Sequence, residues 1–89
     1  MKANFKNIQV EVEFDVFREM DITKGLGNYI HAKTADIGLD DVARDIYHSE
    51  GEIDIPEEYV PIILDMVKHP QCSLLAAVKK AIINELKTE

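Results

Sequence analysis

Residues 8–17 read IQVEVEFDVF, and apolar and polar side chains alternate over most of these ten positions. Side chains of a β-strand point to opposite faces in turn, so this period of two predicts one long, half-buried strand. The apolar residues that we expect to point inward are Ile8, Val10, Val12, Phe14 and Val16. Burial of each would stabilise the fold by about 1.5–3 kcal/mol. The rest of the chain must supply a partner for this strand and a cover for its apolar face.

Four later segments have the features of helices. Apolar residues recur at helical spacing over residues 23–33, where Gly25 and Gly27 predict a local irregularity. From Leu39 onward, a second segment has apolar residues at intervals of three and four positions. Acidic residues after Pro56 predict the start of a third helix that runs to about residue 68. A fourth is predicted from about Ser73, which would be its N-cap.

A short strand is predicted between the second and third helices, where Ile53 and Ile55 alternate with Glu52 and Asp54. The predicted fold class is therefore α+β in a single domain over residues 1–89. It consists of a short antiparallel two-stranded sheet packed against about four helices. The sheet would pair one long N-terminal strand with one short central strand.

The composition of the chain limits the classes of function that we expect. With 46% hydrophobic and 30% charged residues, the chain resembles an ordinary globular protein. No apolar run approaches the roughly 18–20 residues that cross a bilayer, so we expect no membrane association. Cys72 is the one cysteine, cannot form an internal disulfide and suits a reducing cytoplasm. We therefore expect a cytoplasmic protein.

Negative charge is concentrated in the middle of the chain. Residues 36–65 hold ten acidic residues and one basic residue, Arg44, which gives this segment a net charge of −9. Direct binding to nucleic acid requires clustered Lys and Arg side chains that neutralise phosphates. Such binding is therefore not expected. The acidic segment either keeps the protein soluble or imitates the charge of a nucleic acid.

The stretch EGEIDIPEE, residues 50–58, resembles the second half of an EF-hand calcium loop. With Gly51 at position 6 of the loop, Asp54 falls at position 9 and Glu57 at position 12. Position 1 would then be Ile46, which offers no side-chain oxygen. A helix end, a short strand and a helix start explain the same residues without metal. Divalent-cation binding at Glu50–Glu58 is therefore only a weaker alternative.

The remaining candidates for chemistry are sparse. His69 and Cys72 have the spacing of zinc ligands, but the sequence offers no clear set of further ligands for a tetrahedral site. No arrangement of Ser, Cys and His residues stands out as a nucleophile with its base. We expect no cofactor, no metal and no enzymatic activity.

The leading functional prediction is a small acidic interaction domain that binds a protein partner or a second copy through its N-terminal strand. The long strand would have an unpaired edge, and exposed edges invite another strand. Phe17 and Ile83 are predicted as exposed apolar residues, and Glu11, Glu13 and Asp15 as an outward acidic row. The alternative is an acidic decoy of the phage or mobile-element type. It would occupy a basic nucleic-acid-binding site on another protein through Asp40, Asp41, Glu57 and Glu58.

Overall fold

The computed structural model describes residues 1–87, in which four β-strands, a 3₁₀ turn and four α-helices follow one another. In chain order these are β1 (Lys2–Asn4), β2 (Ile8–Glu13), β3 (Val16–Met20), α1 (Thr23–Lys33), α2 (Ile37–Tyr47), β4 (Glu52–Asp54), the 3₁₀ turn (Glu57–Tyr59), α3 (Val60–Lys68) and α4 (Ala76–Leu86). The predicted α+β class with four helices is confirmed. That residues 1–89 form a single domain stays a prediction.

The predicted long strand is a β-hairpin. The chain reverses at Phe14 and Asp15, and Asp15 adopts a left-handed backbone conformation with φ of 65°. Strands β2 and β3 pair antiparallel, with a register shift between Glu11 and Glu13. One continuous strand over residues 8–17 is therefore wrong, because the same alternating pattern continues through a tight turn. The prediction that Ile8 and Val10 point inward is confirmed, because both side chains are buried.

The short central strand is real, but its partner is different from the one expected. Strand β4 pairs antiparallel with β1, in a register that places Ala3 opposite Ile53. Directly after β4, the amide of Ile55 donates to the carbonyl of Met1 at 2.6 Å. The structure therefore has two separate two-stranded sheets among residues 1–87, where the sequence predicted one.

Helix α1 begins where the hairpin ends. The carboxylate of Asp21 accepts hydrogen bonds from the Thr23 amide at 3.0 Å and the Thr23 hydroxyl at 2.6 Å. Lys6 lies 3.2 Å from the other oxygen of Asp21. These hydrogen bonds, followed by the ion pair, lower the pKa of Asp21 to about 2. A carboxylate that accepts amides at a helix start satisfies donors that the helix leaves unpaired.

Helices α1 and α2 pack closely against each other. A Cβ atom at Gly27 would lie 2.9 Å from the carbonyl oxygen of Ala43 and 2.9 Å from the Cβ of Tyr47. Gly27 thus permits the approach of the two backbones. The predicted irregularity at Gly25 and Gly27 is wrong, because α1 is continuous through both residues.

The last helix packs against both sheets. Helix α4 packs against β2, β1 and α3. It begins at Ala76 without a side-chain cap, so the predicted start and cap at Ser73 are wrong. One buried cluster draws side chains from both sheets and all four helices, and its largest fully buried members are Phe5, Val10, Leu26, Ile30, Leu39, Ile46, Ile55, Ile63, Val67 and Ile82.

Candidate interaction surface

Most of the apolar side chains of the hairpin beyond Val10 face solvent. Phe14 at the turn is 90% exposed and Phe17 is 59% exposed, while Val12, Val16 and Met20 are about two-fifths exposed (42%, 42% and 39%). We call these five residues the hairpin patch. Exposed apolar residues scattered singly are ordinary, and larger groups mark surfaces that another molecule covers. The register places Phe17 on the face of Glu11 and Met20 on the face of Ile8, so the five residues share one hairpin but not one face. Concentration on one two-stranded element is what distinguishes this group.

A groove runs between the tip of the hairpin and the start of α4. Its volume is about 470 Å³, and its lining consists of Glu11, Val12, Glu13, Phe14, Ala76, Ala77 and Lys80. Small side chains of α4 form one wall, since Ala76 and Ala77 leave space where larger residues would fill it. Phe14 lines the groove and is also the most exposed apolar side chain in the hairpin patch. The groove is therefore continuous with the hairpin patch.

Charges of both signs border this groove. Glu13 and Lys80 are exposed, and neither forms an ion pair with another residue in the range 1–87. Glu11 is half-buried and accepts a hydrogen bond from the amide of Asp15 at 2.8 Å. Of the predicted acidic row, Glu11 thus has a structural role in the turn. Glu13 is left available to a partner.

The two predicted exposed apolar residues have different outcomes. Phe17 on β3 lies opposite Glu11 on β2, and it is exposed, as expected. Ile83 is half-buried and packs against the core cluster, so its predicted exposure is wrong. The physical reason is that α4 contacts strands on one side and α3 on another, which buries more than a single stripe of the helix.

A second surface is acidic and forms around Tyr59. The Tyr59 hydroxyl rests on the first turn of α2, where a Cβ atom at Gly38 would lie 2.1 Å from the hydroxyl oxygen. Burial raises the pKa of Tyr59, and the negative charges of Asp36, Glu58 and Asp41 raise it further. Carboxylates from two separate parts of the sequence therefore act electrostatically on one phenol. We call Asp36, Asp41 and Glu58 the acidic cluster.

The structure brings together only half of the predicted decoy surface. Asp40 is not among the carboxylates that raise the pKa of Tyr59, and it forms a close contact with the imidazole of His31. Glu57 lies 3.1 Å from the amino group of Met1. Asp36, which the sequence prediction did not include, joins the cluster while its carboxylate caps α2 through the amide of Gly38 at 2.8 Å.

A polar cleft separates the exposed edges of α1 and α2. Its volume is about 150 Å³, and Asp40, His31, Arg44 and His48 contribute its charged and titratable groups. A His–Asp pair can activate a nucleophile, but the lining contains no Ser, Thr or Cys. The nearby Ser49 is buried, and its hydroxyl donates to the carbonyl of Ile46 at 2.8 Å. The cleft therefore offers the pair no Ser, Thr or Cys side chain to activate.

His69 and Cys72, the two residues with zinc-ligand spacing, lie in the connection between α3 and α4. The Nδ1 atom of His69 accepts the amide of Gln71 at 3.1 Å, and Cys72 is buried. Burial raises the pKa of Tyr29 to about 12, and a hydrogen bond with Cys72 adds to this effect. Within residues 1–87, no group of three or more His, Cys, Asp and Glu side chains is arranged to hold a metal ion.

In the loop that resembles an EF-hand, two of the carboxylates lie near a lysine side chain. Both Glu52 and Asp54 lie 3.9 Å from the Nζ atom of Lys2, across the sheet that β1 and β4 form. Gly51 does not adopt a positive φ, so it does not make the sharp turn of a calcium loop. The segment is a strand with flanking turns.

Comparisons with protein-family models, curated proteins and solved structures gave no match for this chain. Within residues 1–87, no helix has both the length and the apolar character needed to cross a bilayer. The surfaces described above are therefore the basis for a functional conclusion.

The prediction that Val12, Phe14 and Val16 point inward is wrong, because all three are exposed, and the sequence analysis did not assign Met20 to the surface. One signal could have found them. An alternating stretch of ten residues is longer than a usual strand, and Phe14-Asp15 near its centre is a point where it can fold back. The groove at Ala76 and Ala77 had no sequence signal, because it depends on how α4 lies against the hairpin.

Proposed function

We propose that this chain is a non-enzymatic protein-interaction domain that binds its partner through the hairpin patch. The observation that carries the proposal is the exposure of five apolar side chains on a single β-hairpin. Their removal from water on binding would supply the driving force, at about 25 cal/mol for each Å² of apolar surface buried. The one cysteine is buried and unpaired, which suits action in the cytoplasm.

The alternative use of these side chains would be packing within the monomer. Packing is what buries Ile8 and Val10, which lie on the part of β2 nearest the core. Beyond them, all five residues of β3 are exposed, and no element of residues 1–87 other than β2 pairs with it. A hairpin that extends its apolar residues past the core in this way is suited to contact with another protein.

Site-specific photo-crosslinking tests this proposal. A photoreactive phenylalanine analogue replaces Phe14 in one variant and Ile37 in a control, because Ile37 is also strongly exposed but lies on α2. We expect a discrete protein adduct from position 14 under native conditions in cells, identified by mass spectrometry. The same protein should not be crosslinked from position 37, which lies beside Asp36 of the acidic cluster. The absence of an adduct at position 14, or the same adducts from both positions, would contradict the proposal.

The acidic cluster supports a second candidate function, that of a decoy for a basic nucleic-acid-binding site. The specific observation is that Asp36, Asp41 and Glu58 converge at Tyr59 although two separate segments supply them. Closely spaced negative charges attract a site built for phosphates, and such attraction weakens steeply with salt. The acidic cluster and the hairpin patch have no residue in common.

Charge neutralisation tests the decoy. Asp41→Asn with Glu58→Gln removes two charges from the acidic cluster, and Glu50→Gln with Asp65→Asn removes two charges elsewhere. The binding measured is that to a nucleic-acid-binding protein which the wild type displaces from DNA. We expect Asp41→Asn with Glu58→Gln to weaken this salt-sensitive binding. We expect Glu50→Gln with Asp65→Asn to leave it unchanged. Equal weakening by both pairs would mean that net charge alone is responsible, and the decoy proposal would fail.

The sequence-based idea of dimerisation by a long unpaired strand loses its basis, since residues 8–13 pair with residues 16–20. Cation binding at Glu50–Glu58 stays a weaker proposal, in which a bound cation would have to compete with the cationic neighbours of the acids at 52, 54 and 57. A homodimer stays a proposal, through a different surface that is argued below.

A further inference from the structure

We propose that the partner at the hairpin patch is a second copy of this chain, with Phe14 of each copy entering the groove of the other. This inference rests on the proposed function and names its partner. In such a dimer, the groove between the hairpin tip and α4 receives an aromatic ring, and Val12 and Phe14, the two members of the hairpin patch that line the groove, are covered by the other copy.

The shape of this surface fits a two-fold arrangement. In a dimer with two-fold symmetry, the same patch serves on both subunits, so a projection and its receiving groove must lie side by side. Phe14 is both the most exposed member of the hairpin patch and a part of the groove wall. A groove of about 470 Å³ between the hairpin and two alanines provides room for the ring of a second Phe14.

The charges at the groove fit the same arrangement. Glu13 and Lys80 both line the groove, and both lack an ion pair within the part of the chain that the structure describes. A two-fold axis beside the groove brings Glu13 of one copy toward Lys80 of the other, and it does so twice. Opposite charges across an interface fix its register and disfavour wrong partners.

Direct pairing of the β3 edges is a less suitable route to the dimer. A two-fold pairing of the full strand, residues 16–20, places Arg18 opposite Arg18 of the second copy, because Arg18 is its middle residue. Like charges directly opposite one another destabilise an antiparallel pair. The groove arrangement has no such conflict at its centre.

Sedimentation velocity over a range of protein concentrations tests the dimer. We expect a reversible dimer, and we expect Phe14→Ser to raise its dissociation constant by at least about tenfold, since aromatic residues in central pockets dominate interface energetics. Ile37→Ser is the matched control, because it removes an equally exposed apolar side chain outside the hairpin patch. It should leave the dissociation constant unchanged. Circular dichroism verifies that both variants are folded.

Charge reversal tests which residues meet across the axis. Glu13→Lys alone and Lys80→Glu alone should each weaken self-association, because like charges then face each other twice. A mixture of the two variants should form a heterodimer, in which each Lys faces a Glu. This rescue can arise only between chains. A mixture that associates no better than either variant alone would overturn the proposed contact.

The outcomes separate this inference from the proposed function. A wild type that stays monomeric at hundreds of micromolar, while position 14 crosslinks to a different protein, overturns the second copy and leaves the interaction domain in place. A monomer with no adduct at position 14 overturns both. A dimer whose dissociation constant does not respond to Phe14→Ser overturns the groove arrangement.

Discussion

Gly25 and Gly27 lie two positions apart in α1, yet their surroundings are opposite. Nothing lies within 4 Å of the place that a Cβ atom would take at Gly25. At Gly27, that place is 2.9 Å from the backbone oxygen of Ala43, which cannot move without shifting α2. One glycine is therefore a cost to helix stability, and the other is a requirement of packing.

We predict that Gly25→Ala raises the free energy of unfolding by about 0.5–1 kcal/mol, because alanine loses less backbone entropy in a helix. Gly27→Ala should lower it by about 1–3 kcal/mol, the usual cost of overpacking. Urea denaturation of both variants and the wild type measures the two changes. Changes of the same sign in the two variants would contradict the close approach of α1 and α2.

Asp21 gives the protein a specific response to acid. Its pKa of about 2 in the folded state lies below its ordinary value of 3.8, so its carboxylate stabilises the fold above that ordinary value. The contribution is lost as the pH falls from about 4 through 2, where the carboxylate becomes protonated. We predict that Asp21→Ala is less stable than the wild type at pH 7 and that the difference narrows toward pH 2.

Urea denaturation at pH 7, 4 and 2 measures this difference. A gap between wild type and Asp21→Ala that is constant across these pH values would contradict the lowered pKa of Asp21 in the folded state. Thr23→Ala is a useful companion, because it removes the hydroxyl donor and leaves the carboxylate.

At the scale of elements, the helices were predictable and the hairpin was not. Regular spacing from Leu39 predicted α2, and its bounds at Ile37–Tyr47 agree with that spacing. In the hairpin, the period of two continues from β2 into β3, so the pattern alone cannot show that the strand turns back. The turn lacks glycine and asparagine, which are the usual signals for a tight hairpin turn.

The hairpin turn depends on the left-handed conformation of Asp15. We predict that Asp15→Gly keeps or raises the free energy of unfolding, by up to about 1 kcal/mol, because glycine adopts positive φ without strain. Asp15→Val should lower it by about 1–2 kcal/mol, since a side chain without local polar contacts is strained there. Both variants lose the carboxylate, so their difference in urea denaturation isolates the backbone effect. Equal stabilities would contradict the turn geometry.

At the scale of the whole molecule, charge was predictable but its arrangement was not. The net charge of −9 over residues 36–65 follows from the sequence alone. The meeting of Asp36 and Glu58 depends on Tyr59, which packs on Gly38 across the connection between α2 and the 3₁₀ turn. Likewise, the apolar composition of residues 8–17 gave no measure of how far the core extends along the hairpin.

Calcium provides a test at this scale. We predict that millimolar Ca²⁺ leaves the midpoint of thermal unfolding unchanged, because a ligand raises it only by binding the native state. Glu52 and Asp54 both lie 3.9 Å from the Nζ atom of Lys2 on a paired strand, so a cation would have to compete with Lys2 for them. A rise of several degrees that Glu57→Gln abolishes would contradict this assignment of the loop.

Strand β1 is tied to parts of the chain that come much later in the sequence. Its last residue, Asn4, donates its amide to the carboxylate of Glu85 on α4 at 2.8 Å, and its pairing partner is β4. Residues 1–7 are synthesised before residues 52–54 and 76–86, so they leave the ribosome when neither β4 nor α4 has yet been made. The α1–α2 pair can form early from neighbouring residues. The first strand must wait, and until α4 is synthesised the apolar Ala3 and Phe5 are available to chaperones.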